Sequence, residues 1–347
     1  MLKNNLWMTR AGNFSRNGNS DEKLSPPLTL CWKRQIAEDN LWSSPIIADG
    51  LVYIADGSGL KILNVAKGEF QWQLDGVIVF MAGSPTLWES LLIVAGKNRC
   101  HAININTRKV EWYYQIDKLI SHCAPAVVED KVIWGAVDGL LRALDIKSGE
   151  LVWQFNVQDW IKCAPTVYNN TIYFGTEEGS VYAINASEGK LIWERQFSGT
   201  STHTTIAFEK GKIVVCIKES GVFALDAQTG KTIWHHKTPY GPWAAPSIKD
   251  DVVFVADWNL NAVRLDNGQH IWTSEELSLH HSSPIIAGDT IFIGGGHRPY
   301  VYGFDRHTGE KVWEYKTGDI VFSTPAVANG KLFICSHDGF LYCFEEA

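Results

Sequence analysis

The chain has 347 residues, 45% of them hydrophobic, and its 31 basic and 38 acidic side chains give a formal net charge of −7. This length can bury a large core, and the acidic balance without any Lys/Arg-rich block argues against nucleic acid as a partner. The first 20 residues contain no apolar run that could serve as a signal-peptide core or a membrane span, and no cysteine for a lipid anchor. Seven cysteines at irregular spacing include no CxxC pair. These features predict a cytoplasmic protein with reduced thiols and no membrane partner.

Residues 1–26 are polar and rich in Asn, Ser, Gly and Arg, which predicts an irregular lead-in lying across the domain. A strand at 28–33, around Trp32, follows without a partner strand close to it in sequence. From Trp42 onward, each period opens a short strand at a proline and continues with β-branched and aromatic strands separated by glycine-containing turns. Four short strands per period predict a β-meander, and no stretch has an amphipathic helical period.

The fourth strand of each period carries a tryptophan anchor. The eight anchors are separated by 40, 40, 41, 40, 41, 38 and 41 residues. They are Trp32, Trp72, Trp112, Trp153, Trp193, Trp234, Trp272 and Trp313. Meanders repeated at this period predict an all-β, eight-bladed β-propeller over residues 27–347, with the anchors as packing residues. The last period supplies only three strands, so the strand around Trp32 is expected to complete it and close the ring.

The repeat motif A-x-(D/N)-x-x-(T/S)-G-x-x-x-W, as in ALDIKSGELVW (143–153) and ALDAQTGKTIW (224–234), resembles that of the quinoprotein-type propellers. These include the pyrroloquinoline-quinone (PQQ) dehydrogenases and the BamB-type outer-membrane assembly lipoproteins. The resemblance covers the whole chain and implies the propeller fold. Dehydrogenases of this group bind their quinone with adjacent cysteines and a calcium site. This chain has no adjacent cysteines, so PQQ and a typical PQQ-dependent dehydrogenase activity are not expected.

Function is expected on the link face, where the links between blades and the turns between second and third strands lie, because the repeats diverge there. The third residue before each repeat proline, or before Thr205 in its place, is Trp42, Ala82, His122, Lys162, Thr202, Trp243, His281 or Phe322. The second residue before it is Ser43, Gly83, Cys123, Cys163, His203, Ala244, Ser282 or Ser323. Equivalent positions are predicted to form a ring around the central mouth.

Cys123, Cys163 and His203 come from consecutive blades and allow three interpretations. Two thiols and an imidazole suit zinc or another thiophilic metal. A thiol beside a lysine or histidine can be a nucleophile. The cysteines can also be small residues that fill the position held elsewhere by Ser, Gly or Ala. The first two interpretations would make the protein an enzyme or a small-ligand binder, whose further candidate groups are His122, Lys162 and His281.

Large aromatic and cationic side chains on the link face favour a partner protein or peptide instead. These candidates are Trp42, Trp243, Phe322, Trp258, His280, His297, Arg298 and Tyr300. The turn at 294–300 is longer than its equivalents, which suits a partner-shaped loop, while the aromatic residues could also simply plug the channel. The leading interpretation is therefore a non-catalytic scaffold without a cofactor. The alternatives are the enzyme or ligand-binding protein described above, and a BamB-like envelope scaffold whose export signal has been removed.

Overall fold

The computed structural model describes residues 8, 9, 11–77, 83–117, 124–198, 204–275, 278, 279 and 281–347. These residues form strands and turns, and no helix among them is long and apolar enough to cross a membrane. Two strands precede the repeats, β1 (Asn19–Ser20) and β2 (Leu28–Gln35).

Blade 1 contains β3 (Ile46–Ala48), β4 (Leu51–Ala55), β5 (Gly59–Asn64) and β6 (Phe70–Asp75), and blade 2 contains β7 (Thr86–Trp88), β8 (Leu91–Gly96), β9 (Arg99–Asn104) and β10 (Lys109–Gln115). Blade 3 contains β11 (Ala126–Val128), β12 (Lys131–Gly135), β13 (Leu140–Asp145) and β14 (Leu151–Asn156). Blade 4 contains β15 (Thr166–Tyr168), β16 (Thr171–Gly175), β17 (Ser180–Asn185) and β18 (Leu191–Gln196).

Blade 5 contains β19 (Ala207–Glu209), β20 (Lys212–Ile217), β21 (Gly221–Asp226) and β22 (Thr232–His236), and blade 6 contains β23 (Ser247–Lys249), β24 (Val252–Ala256), β25 (Leu260–Arg264) and β26 (His270–Thr273). Blade 7 contains β27 (Ile285–Ala287), β28 (Thr290–Gly294), β29 (Tyr300–Asp305) and β30 (Lys311–Lys316). Blade 8 contains β31 (Ala326–Ala328), β32 (Lys331–Cys335) and β33 (Phe340–Glu346).

In blades 1–7 the four blade strands form an antiparallel sheet in which they follow one another in sequence order. The short first strands of neighbouring blades contact one another and therefore line the central channel. The prediction of an all-β, eight-bladed propeller is confirmed. Blade 8 takes its fourth strand from the start of the chain, because β2 pairs antiparallel with β33 from Leu28↔Glu346 to Gln35↔Phe340. This pairing, the closure seam, joins the two ends of the ring.

The tryptophan anchors join each blade to the next. In seven of them the indole Nε1 donates a hydrogen bond to a backbone carbonyl of the following blade: Trp32 to Val65, Trp112 to Ile146, Trp153 to Ala186, Trp193 to Ala227, Trp234 to Leu265, Trp272 to Arg306 and Trp313 to Leu28. For six of these seven anchors, all except Trp313, a turn glycine of the following blade lies against the indole; a Cβ on Gly149 would be 2.5 Å from the ring of Trp112. At the equivalent position of blade 2 stands Arg108, with φ 59°, and its guanidinium lies 5.9 Å from the centroid of Trp72.

The lead-in lies inside the channel. Its backbone carbonyls accept hydrogen bonds from the first strands of blades 4 to 7 in turn: Phe14 from Val167, Ser15 from Phe208, Asn17 from Ile248 and Gly18 from Ile286. β1 then pairs in parallel with β27. Because these strands face the channel, the lead-in satisfies backbone N–H groups that pairing within a blade leaves free.

Arg16 of the lead-in is fully buried. Its guanidinium donates to Thr9 Oγ1 at 2.9 Å, to the Pro125 carbonyl at 3.2 Å and to the Pro165 carbonyl at 3.3 Å. The segment leaves the channel at the face opposite the links, where Glu22 accepts hydrogen bonds from the turn at 329–330. The lead-in therefore runs along the inner strands that line the channel and ends at the face opposite the links.

Candidate partner-binding site on the link face

The links of five blades are held together by a ring of hydroxyl groups. In four of these links, the residue directly before the repeat proline donates its backbone N–H to the hydroxyl of its equivalent in the next blade. These bonds run from Ala245 to Ser283 (3.1 Å), Ser283 to Thr324 (3.4 Å), Thr324 to Ser44 (2.9 Å) and Ser44 to Ser84 (3.2 Å). The small polar side chains at these positions therefore fix the links of blades 6, 7, 8, 1 and 2 relative to one another.

In four of these links, the residue two positions before the hydrogen-bonded residue carries an aromatic or imidazole ring, and these four rings contact one another. Trp243 lies 5.3 Å from His281, His281 lies 4.5 Å from Phe322, and Phe322 lies 4.9 Å from Trp42, measured between ring centroids. These distances are in the range of favourable aromatic pairs. Trp42, Trp243, His281 and Phe322 thus form one continuous surface, the aromatic cluster.

Turns between second and third strands add to the cluster from outside. His297, in the long turn of blade 7, lies 5.2 Å from Phe322, and His337, in the turn of blade 8, lies 4.5 Å from Trp42. Lys218 of blade 5 places its Nζ 4.5 Å from the centroid of Trp243, a cation–π distance. The sequence places these three residues in turns of the link face, but only the three-dimensional arrangement shows that they contact the cluster.

The cluster has a buried floor and an accessible upper side. Phe322 is 8% exposed and His337 is 5% exposed, whereas Trp42, Trp243 and His281 are half-buried. Burial lowers the pKa of His337, although the surrounding aspartates act in the opposite direction. Its Nε2 is a buried polar atom without a hydrogen-bond partner among the described residues. The imidazole is therefore expected to be neutral at pH 7 and to act as part of the apolar floor.

A cavity of about 760 Å³ opens beside Trp42, lined by residues 35–43, 55–58 and Lys61. The carboxylate of Asp56 lies in its wall, 2.6 Å from Lys61 Nζ, and also accepts a hydrogen bond from Ser58. Burial alone would raise the pKa of Asp56, but these hydrogen bonds lower it overall. The cavity wall therefore carries a fixed ion pair next to the exposed edge of the aromatic cluster.

Trp258 forms a second, smaller aromatic contact on this face, 4.9 Å from Tyr240. Asp257, directly before it, is almost fully buried and accepts a hydrogen bond from the backbone of Tyr240 at 3.0 Å. Burial raises the pKa of this carboxyl group. The predicted candidates Arg298 and Tyr300 follow His297; Arg298 is exposed, and the ring of Tyr300 stacks on Tyr302 at 5.7 Å.

Cys163 is buried inside blade 4. Its Sγ accepts a hydrogen bond from the Gly175 N–H at 3.1 Å and lies 3.3 Å from the Gly175 carbonyl. Ser323 makes the same two contacts with Cys335 in blade 8, at 2.9 and 2.7 Å. Burial raises the pKa of Cys163 to about 11. The thiol therefore occupies the place of a serine hydroxyl in an equivalent blade.

The neighbouring Lys162 forms an ion pair with Glu177 at 3.0 Å and lies 4.6 Å from the centroid of Trp160. This link is three blades away from His281, so the two candidates lie on different sides of the mouth. His122, Cys123, His203 and His280 lie outside the described residues. Within the part of the chain that is described, no group of three or more His, Cys, Asp or Glu is arranged to hold a metal ion. The predicted site of Cys123, Cys163 and His203 remains a prediction.

The closed ring of tryptophan-anchored blades defines an eight-bladed propeller of the quinoprotein type, built from PQQ-like repeats. A family model described as outer membrane protein assembly factor BamB matches residues 62–207 and 121–315, and the chain belongs to this family. The BamB of Yersinia pestis is 30% identical over 141 residues, which cover 36% of this chain and 36% of that protein. The chain thus aligns with about a third of the length of this relative.

Solved structures show the same fold at low sequence identity. The crystal structure of BamB from Moraxella catarrhalis has a TM-score of 0.76 and 19% identity, covering 92% of this chain and 98% of that one. The quinohemoprotein alcohol dehydrogenase from Comamonas testosteroni has a TM-score of 0.82 and 16% identity, covering 99% of this chain and 81% of that one. The same architecture therefore occurs in an assembly factor and in an enzyme, so function has to be argued from the site.

Proposed function

We propose that the protein is a non-catalytic scaffold that binds an extended segment of a partner protein on the aromatic cluster. The observation that carries the proposal is the contact of Trp243, His281, Phe322 and Trp42 across four consecutive links. Large aromatic side chains held in place by their neighbours are frequent hot spots, the residues that contribute most of the binding free energy of a protein interface. The hydrogen bonds between neighbouring links, directly beside the cluster in sequence, hold these side chains in place.

The shape of the surface supports a polypeptide rather than a compact small molecule as the ligand. The cluster extends across four links, and the cavity beside Trp42 continues it toward blade 1. The channel beneath is filled by the lead-in, which leaves the upper side of the cluster for contact. The relatives carry the name of an assembly factor, a function that acts on other proteins. A cytoplasmic location, as predicted from the sequence, is part of this proposal, and fractionation of cells expressing the native gene tests it.

A displayed library of random peptides tests the proposal directly. Peptides selected on the purified full chain are synthesised with a fluorophore, and their affinities are measured by anisotropy. We expect enrichment of aromatic and aliphatic residues, and at least about 10-fold weaker binding after Trp243→Ala or Trp42→Ala, as for a moderate interface hot spot. The matched control is Trp160→Ala, because Trp160 is a 52% exposed tryptophan on another part of the link face.

Binding that survives both cluster substitutions, or that is lost with Trp160→Ala instead, would place the interface elsewhere and overturn the assignment. Circular dichroism of each variant confirms that the blades remain folded. Because Trp42 and Trp243 are half-buried and lie in links rather than in strands, their replacement is expected to leave the sheets intact.

A further inference from the structure

The closure seam between β2 and β33 contains an irregularity at Cys31. Leu30 pairs with Phe344 and Trp32 pairs with Cys343, so Cys31 is the extra residue of a β-bulge in β2, opposite β33. A bulge leaves its extra residue outside the regular ladder. Cys31 and Cys343 therefore come from opposite ends of the chain and meet at the one place where the ring is closed without a covalent link.

The surroundings of Cys31 are polar and charged. Lys331 Nζ donates a hydrogen bond to Cys31 Sγ at 3.3 Å and forms an ion pair with Glu345. The Cys31 sulfur therefore lies beside an ion pair, with the ammonium group of Lys331 and the carboxylate of Glu345 both in contact with it. The register places Cys31 next to Trp32, the residue that pairs with Cys343, so the two thiols stand at neighbouring positions of adjacent strands.

The two thiols differ in accessibility. Cys31 is half-buried, whereas Cys343 is 0% exposed, and burial raises the pKa of Cys343. A partly exposed thiol with a second, resolving thiol beside it is an arrangement found in redox-sensitive cysteine pairs. Cys100 and Cys216 offer no such surroundings, since each is enclosed in an apolar cluster of its own blade pair.

We propose that Cys31 and Cys343 form a redox modification site at which a hydroperoxide closes the propeller ring with a disulfide. The Cys31 sulfur attacks the peroxide, the O–O bond breaks, and Cys31 becomes a sulfenic acid while an alcohol or water leaves. The Cys343 sulfur then attacks Cys31, the S–O bond breaks, and water leaves with the thiol proton. Two thiols and one peroxide thus give one disulfide, one water and one alcohol or second water.

The disulfide would connect residues 31 and 343 and make the ring covalently continuous. Because it would restrict nearly the whole unfolded chain, the oxidised form is expected to melt about 5–10 °C higher than the reduced form. A thiol reductant should reverse the shift. This inference is independent of the aromatic cluster, since the seam lies on the outer strand of blade 8.

The test uses the full chain, reduced and then treated with one equivalent of hydrogen peroxide, blocked with N-ethylmaleimide and analysed by non-reducing peptide mass spectrometry. We expect a single cross-linked peptide pair containing Cys31 and Cys343, and a reversible rise in Tm. Cys31→Ser should abolish both, whereas the matched control Cys216→Ser should retain both.

Three outcomes would overturn the proposal. The first is Cys31 oxidised to the sulfinic acid while Cys343 stays free and is alkylated after unfolding. The second is a covalent bridge from Cys31 to the nitrogen of Lys331. The third is a cross-link to another cysteine that persists in Cys31→Ser. Because Cys31 is a half-buried bulge residue, its serine variant is expected to fold, and its unfolding curve in the reduced state checks this.

Discussion

Trp193 Nε1 in blade 4 lies 3.0 Å from the carbonyl oxygen of Ala227 in blade 5. The indole also covers Gly230 of that blade, where an added Cβ would be 2.7 Å from the ring. One side chain therefore joins two sheets through a hydrogen bond and through ring packing on a glycine with φ 68°. Equivalent contacts recur around the ring, so the anchors hold neighbouring blades in a fixed relation.

Trp193→Ala should lower the free energy of unfolding by about 3–5 kcal/mol, because it removes both the packing and the interblade hydrogen bond. Denaturant unfolding followed by circular dichroism measures the change. Trp160→Ala, which removes an exposed tryptophan, should change the free energy of unfolding by less than about 0.5 kcal/mol. An unchanged midpoint for Trp193→Ala would contradict the packing role.

Gly18→Ala tests whether the lead-in is built into the channel. Gly18 has φ +64°, and a Cβ there would lie 2.2 Å from Ser247 Oγ; Gly50 has a similar φ of +74°, with nothing within 4 Å of its Cβ. Both substitutions carry the cost of a left-handed alanine, but only Gly18→Ala adds a clash. We expect Gly18→Ala to be less stable than Gly50→Ala by about 1–3 kcal/mol. Equal stability would mean that the lead-in does not occupy the channel in solution.

The buried imidazole of His337 predicts a pH dependence. Burial lowers its pKa in the folded protein, so between that value and the unfolded value of about 6.5 the unfolded chain binds the proton more readily. The contribution to stability is complete above about pH 6.5 and is lost as pH falls toward the lowered folded pKa. We expect the free energy of unfolding to decrease between about pH 7.5 and pH 5 more steeply for the native chain than for His337→Phe. Equal slopes in denaturant titrations would contradict this.

Elemental analysis tests the predicted absence of a cofactor. Cys163 is hydrogen-bonded within its blade, which favours the interpretation of this thiol as a packing residue. We expect the full chain, purified without a metal-affinity tag, to contain no stoichiometric zinc, iron or copper. Near-stoichiometric metal that disappears in Cys123→Ser/Cys163→Ser would instead support the enzyme or metal-binding alternative.

The sequence predicts the fold well because one physical requirement repeats eight times. Each blade needs a tryptophan on its outer strand to cover the next blade, and the interval from Trp32 to Trp72 and onward is therefore visible without a structure. The missing strand of the last period also has a visible counterpart around Trp32, and β2 does pair with β33.

The site is only partly predictable. Counting back three residues from the prolines selects Trp42, Trp243, His281 and Phe322, because equivalent positions of a ring are neighbours in space. The path of the lead-in is not predictable in this way. Residues 11–20 bind mainly through backbone carbonyls to strands far away in sequence, and such contacts leave no periodic pattern. The burial of Arg16 is likewise missed, since its partners are backbone carbonyls and a hydroxyl rather than a recognisable motif.

Hydrogen exchange of the full chain, with and without a library-selected peptide, tests the central claim most directly. We predict slower exchange on peptide binding for backbone amides in the links of the aromatic cluster, at 40–44, 243–245, 281–283 and 320–324. The link at 158–163, which carries Trp160 and Lys162, should exchange at an unchanged rate. Protection confined to 158–163, or no protection at any link, would contradict a partner-binding surface at Trp42, Trp243, His281 and Phe322.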